Sequence, residues 1–188
     1  MAMSMFILAV ASGVAIYRIG QSRERNYHPS PEQLARERVA RLENWASHGV
    51  TSAQVELADA LAEGSGVSQD ASAAVHWNQV AAESGDVSAE VNLARAYAYG
   101  AGVPRDVRQA LEWTRKAAEH GNVEAQFNYG VYLFQGVGIS RDVVKGFLWL
   151  SRAAAAGSNP AELILDAARN AMTAEQVAAA EALSQKSM

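Results

Sequence analysis

Apolar positions along residues 52–157 recur with two nested periods. Within short stretches they fall three or four residues apart, the spacing of one helix face, and the whole arrangement returns every thirty-six residues. Ala53, Ala89 and Ala125 open successive copies, followed by Leu57, Leu93 and Tyr129. Trp77, Trp113 and Trp149 share a second register, and Ala81–Ala82, Ala117–Ala118 and Ala153–Ala154 close it. Each copy therefore predicts two helices. In the second copy they are residues 88–99, with Ala89, Leu93, Ala94 and Tyr97 on one face, and 107–120, with Ala110, Trp113, Ala117 and Ala118. Between them Gly100 suits a left-handed helix cap, Gly102 lets the chain pass close to a neighbouring helix, and Val103 plugs the loop onto the core. Asp106 is placed to cap the second helix through its carboxylate. A period of this length marks a solenoid, in which no unit buries its apolar face alone.

The pattern weakens toward both ends. Ser30-Pro31-Glu32-Gln33 is a capping box that opens a helix to about residue 47, the second half of a degenerate leading unit. At the far end Ala161 and Leu165 keep the register but lose the glycine loop, and Thr173-Ala174-Glu175-Gln176 opens a last, alanine-rich helix. The expected organisation is an anchor at 1–19, a linker at 20–30 and a capping half-repeat at 31–51. Repeats follow at 52–87, 88–123 and 124–158, with capping helices at 159–188.

The first seventeen residues carry no charged side chain. As a helix they rise roughly 25 Å, the short end of what crosses a bilayer. Tyr17 and Arg18 then read as an interfacial aromatic and a snorkelling cation. Arg18, Arg23 and Arg25 all follow the span, so the positive-inside rule puts the repeats in the cytoplasm. A cleaved signal, which would leave a periplasmic protein, is the rival, although a basic leading region is missing. A helix buried in a partner is a third reading. Ala9 and Gly13 form a small-xxx-small pair suited to close packing of membrane helices, or simply reflect the small residues common in apolar spans.

Composition narrows the chemistry. The chain has 188 residues, 49% of them hydrophobic, enough for a core. Its net charge of −4 divides into a +2 leader and a −6 remainder, which argues against a phosphate-backbone partner. Without cysteine there is no disulfide or thiolate site, and His28, His48, His76 and His120 form no metal-ligand pair. His48 and His120 sit in helix-ending His-Gly steps, where an imidazole favours the last carbonyls. The Gly-x-Gly loops lack the strand and lysine of a phosphate loop. Glu162 and Asp166 stand one turn apart on a solvated face. No cofactor, metal or catalytic residue is indicated.

The landmarks Ala-x3-Leu-[Gly/Ala]-x2-[Tyr/Leu]-x2-Gly-x-Gly-[Val/Ile]-x2-Asp-x3-[Ala/Gly]-x2-Trp-x3-Ala-Ala-x2-Gly resemble the Sel-one-like repeat family, relatives of tetratricopeptide repeats. The departures are Ala58 and Ala94 in place of the glycine kept at Gly130, and Gly146 in place of the alanine at Ala74 and Ala110. The resemblance implies an all-α, right-handed α/α superhelix acting as an adaptor. Members linked to β-lactam binding or hydrolysis are rich in cysteine pairs, which this chain lacks. By analogy, a protein partner would lie on the concave face formed by the first helix of each unit. The positions free to vary there are Val55, Glu56, Asp59 and Glu63, then Val91, Asn92, Arg95 and Tyr99. In the third copy they are Phe127, Asn128, Val131, Phe134 and Gln135. Asn92 and Asn128 would bond a peptide backbone, and Tyr99, Phe127 and Phe134 would anchor side chains or else pack on the adjacent helix. The expected function is a membrane-anchored, non-catalytic protein-interaction scaffold, either a subunit of a larger membrane complex or a recruiting adaptor. The alternatives are a periplasmic or secreted interaction protein and, last, a β-lactam hydrolase.

Overall fold

A computed structural model describes residues 29–186. Among these the chain is helical throughout, with short connections and no strand. The helices are α1 (Pro31–Ser47), α2 (Thr51–Glu63), α3 (Ala71–Glu83), α4 (Val87–Tyr99), α5 (Val107–Glu119), α6 (Val123–Gln135), α7 (Val143–Ala155), α8 (Asn159–Asn170) and α9 (Ala174–Lys186). Each of α1 to α7 packs on the next in chain order, so the array grows in one direction rather than closing into a bundle; α9 folds back onto α7. None of these helices is long and apolar enough to cross a membrane, and the segment read as an anchor, with Ala9 and Gly13, lies outside the described residues.

Both ends of each helix are set by local chemistry. Asp70, Asp106 and Asp142 accept backbone N–H groups at the starts of α3, α5 and α7. Asp86, Asn122 and Ser158 do the same for α4, α6 and α8, thirty-six residues apart; Val50, at the same register, caps α2 without a side-chain bond. The capping boxes at Ser30 and Thr173 both form. First helices end on Gly64, Gly100 and Gly136, each left-handed at φ near +77°.

The second glycine of each loop does something different. A Cβ on Gly66 would stand 2.7 Å from the Ala35 carbonyl carbon, one on Gly102 would collide with the Ala71 carbonyl oxygen, and one on Gly138 would stand 2.7 Å from Val107 Cγ1. Residues 35, 71 and 107 are themselves thirty-six apart, so every loop presses on the start of the second helix one unit back. Ser72 Oγ reinforces the middle contact by donating to Gly102 O at 2.9 Å. By contrast, Gly85, Gly121 and Gly157 have positive φ but open space around them.

The core is three clusters in series, each spanning a unit and its neighbour. Ala81, Ala117 and Ala153 are fully buried. The three repeating tryptophans pack into successive clusters, with Val67, Val103 and Ile139 as the loop plugs. Trp45 occupies the register of Ala81, Ala117 and Ala153 but is 51% exposed, a large ring covering an end with no further unit before it. At the other end Glu162, Asp166 and Arg169 stand in the register of the half-buried Gln126 and the buried Gly130 and Leu133, so α8 turns a polar face outward and stops the stack.

These contacts predict unequal costs for one substitution at two glycines. Gly121→Ala adds only left-handed strain, about 1–2 kcal/mol. Gly102→Ala adds a clash between units and is expected to cost about 3 kcal/mol or more in urea unfolding.

Candidate functional site

The first helices α2, α4, α6 and α8 lie side by side and form one strip, crossed at three positions of the same register; the first is closed by a polar bridge, and the second and third open as notches. Their lining follows columns thirty-six residues apart: Asp59, Arg95, Val131 and Ala167; Asn78, Thr114 and Leu150; Asn92, Asn128 and Ile164. Down these columns the chemistry changes from acidic and amide, through an ion pair, to hydrocarbon.

At the first crossing, between α2 and α4, the Asn92 amide donates to Asp59 Oδ1 and to Asn78 Oδ1, both at 3.2 Å. Asn92 was expected to meet a partner's backbone; its N–H groups are instead engaged in tying two units together. Burial pushes the Asp59 carboxyl above its ordinary range; the Asn92 bond opposes this, while the charges of Glu63, Glu56 and Asp86 add to it. Glu56 is paired with Arg38 of α1 at 2.8 Å. The surroundings of Asp59 are thus richer in carboxylates than in cations.

The second notch, between α4 and α6, is a cleft of about 100 Å³ lined by Arg95, Tyr99, Thr114, Asn128 and Tyr132 among others. Arg95 crosses it to Glu124, with Nη2–Oε distances of 3.1 and 3.0 Å. Both partners are more than half exposed, so this pair adds little stability and can exchange for another polar contact. Thr114 is satisfied by donating to Ala110 O. The half-buried Asn128 amide makes no hydrogen bond among the described residues, and Tyr99 is 82% exposed.

The third notch, between α6 and α8, holds about 290 Å³ and is lined by Val131, Phe134, Gln135, Leu150, Ile164, Ala167 and Ala168. Its floor depends on two glycines. A Cβ on Gly146 would stand 2.7 Å from Phe134 N, and one on Gly130 would stand 3.0 Å from Leu150 Cγ, so α6 and α7 approach closely and hold Leu150 in place. Of the expected residues, Arg95, Tyr99 and Asn128 meet in the second notch, and Val131 and Gln135 in the third. Phe127 is half-buried and lines neither. Leu163, 82% exposed, and Ile164 extend the strip and were missed; adding one period to Phe127 and Asn128 finds them.

One polar pair departs from the repeat. Gln54 and Gln126 donate to Ala46 O and Ala118 O at 3.2 and 3.3 Å, bonding first helices to the end of the preceding second helix. The residue between them in register is Glu90, which as a carboxylate has no proton to donate. Its side chain is only 2% exposed and meets His120 Nδ1 at 2.9 Å. His48 does reach a last-turn carbonyl, Asn44 O, at 2.7 Å, whereas His120, expected to do likewise, turns to Glu90 because a buried carboxylate needs a partner. His120→Ala is expected to destabilise the fold by about 2–3 kcal/mol. Adding Glu90→Gln should restore most of that by recreating the glutamine bond; urea unfolding of the single and double variants checks both.

Residues 51–86, 87–122 and 123–158 each match the Sel1 repeat profile. The chain belongs to the Sel1 repeat family, whose members are generally protein–protein interaction scaffolds. Among solved structures it resembles a Sel1 repeat protein from Oxalobacter formigenes, at 31% identity and a TM-score of 0.60 over 62% of this chain and 48% of that one. It also resembles c5321, a protective antigen present in uropathogenic Escherichia coli strains displaying an SLR fold, at 33% identity and a TM-score of 0.68 over 79% of this chain and 32% of that one. The chain thus spans less than half the length of either. No curated protein matches it.

Proposed function

We propose that this protein is a membrane-tethered, non-catalytic scaffold that holds a partner protein of a membrane complex on its strip of first helices. The observation that carries the reading is the succession of two open clefts on one strip, with the unpartnered Asn128 amide in the first and an exposed hydrocarbon lining in the second. Unsatisfied amides and accessible apolar side chains on a rigid frame are what a bound polypeptide would complete. The tether is residues 1–19. It is supported by the uncharged run up to Tyr17 and by arginines confined to its carboxy-terminal side, which favour cytoplasmic repeats.

A photo-crosslinking residue at Tyr99 or Gln135 is expected to trap a partner in membranes, whereas one at Gln79 or Glu112, exposed on second helices, is not. Val131→Asp should weaken the same association about tenfold or more without loss of helicity. Crosslinks only from the second helices would overturn the docking face. Intact mass of the mature chain tests the tether: retention of residues 1–19 supports it, and their loss would instead indicate release after signal cleavage.

A further inference from the structure

The three crossings of the strip, a bridged acidic one and two open notches, differ in sign and polarity in a fixed order, which imposes an order on whatever lies along them. Around the first crossing, on the surface beside the Asp59–Asn92 bridge, are Glu56, Asp59, Glu63 and Asp86, with Arg38 as the cation paired to Glu56. The middle notch is neutralised by its own Arg95–Glu124 pair and offers an amide. At the third, Val131, Phe134 and Ile164 present hydrocarbon over the buried Leu150. We propose that the strip selects an extended partner segment in which a lysine or arginine stands about six residues from a leucine, isoleucine or phenylalanine. The cation faces Asp59 and Glu63, the apolar side chain fills the α6/α8 notch, and the intervening backbone bonds Asn128. This rests on the docking face proposed above and adds the chemistry of what docks.

The spacing follows from geometry. The first crossing and the third notch are two units apart, about 20 Å at a separation of about 10 Å between neighbouring helices. An extended chain covers that in about six residues. Charge complementarity selects the cation, because the carboxylates near Asp59 outnumber their partners. The apolar end selects size and rejects polar side chains, which would lose their hydration against Val131 and Ile164.

The test uses the full-length protein in mild detergent and fluorescently labelled twelve-residue peptides of serine, threonine and glycine. These carry one arginine and one leucine six positions apart. Fluorescence anisotropy should show binding to this peptide. Affinity should fall about tenfold or more when arginine becomes glutamate, when leucine becomes serine, or when the separation is cut to two. Asp59→Asn with Glu63→Gln should abolish the arginine-over-glutamate preference and flatten the salt dependence, leaving the leucine preference intact. Ile164→Ser should do the converse, and both variants should keep the wild-type helical signal. Binding indifferent to the charge swap or to the spacing overturns the proposal, as does the absence of binding at millimolar peptide. If crosslinking at Tyr99 and Gln135 still succeeds in that case, the docking face stands and only its bipartite chemistry fails; if crosslinking also fails, both fall.

Discussion

The contact on which the array depends is the seating of each Gly-x-Gly loop on the start of the second helix one unit earlier. It occurs three times at the same register, on residues 35, 71 and 107, and it leaves no room for a side chain. Because the left-handed first glycine ends one helix and the second glycine meets the preceding unit, a single short loop sets both the length of a helix and its height in the stack. The fully buried alanines at 81, 117 and 153 then let helices come together along their length, and the tryptophans fill the space that remains.

A frame specified by small residues leaves the other positions of the first helices free to carry recognition. Asp59, Arg95 and Val131 occupy one place in successive units, an acid, a base and a hydrocarbon, and Asn92, Asn128 and Ile164 occupy another, which passes from amide to hydrocarbon. Where the side chains satisfy one another, as in the Asp59–Asn92–Asn78 bridge, they join units. Where they do not, they form clefts. The glycine, alanine and tryptophan columns thus carry the frame, while these two columns join units in one repeat and line clefts in the next.

The period, the helix pairs, both glycine roles and the aspartate caps of the second helices were legible in the chain, because each is a local rule repeated at fixed spacing. The caps of the first helices follow the same rule but with Asp86, Asn122 and Ser158, three different residue types, which hid them. The strip runs one unit further than the three full repeats imply, because α8 keeps the first-helix register, with Leu163 and Ile164, although the glycine loop is lost after residue 158. Two contacts were not legible at all. Asn92 looked like a free amide because its acceptors are thirty-three and fourteen residues away. His120 looked like a helix-end histidine because Glu90, thirty residues back, is identified as its partner only once two antiparallel helices are packed.

If stacking by register is what holds the protein together, removing one whole period should shorten the array without breaking it. Deleting residues 87–122 would seat Gly138 on the start of α3, at Ala71, the register its own contact with Val107 now has. Circular dichroism and urea unfolding of that variant are the direct test. The expected result is a cooperative, fully helical protein of lower stability whose denaturant dependence falls by roughly a fifth, in proportion to the surface lost. An unfolded or molten product would contradict the account, because it would mean that distant parts of the chain, rather than neighbouring units, supply the contacts that hold it.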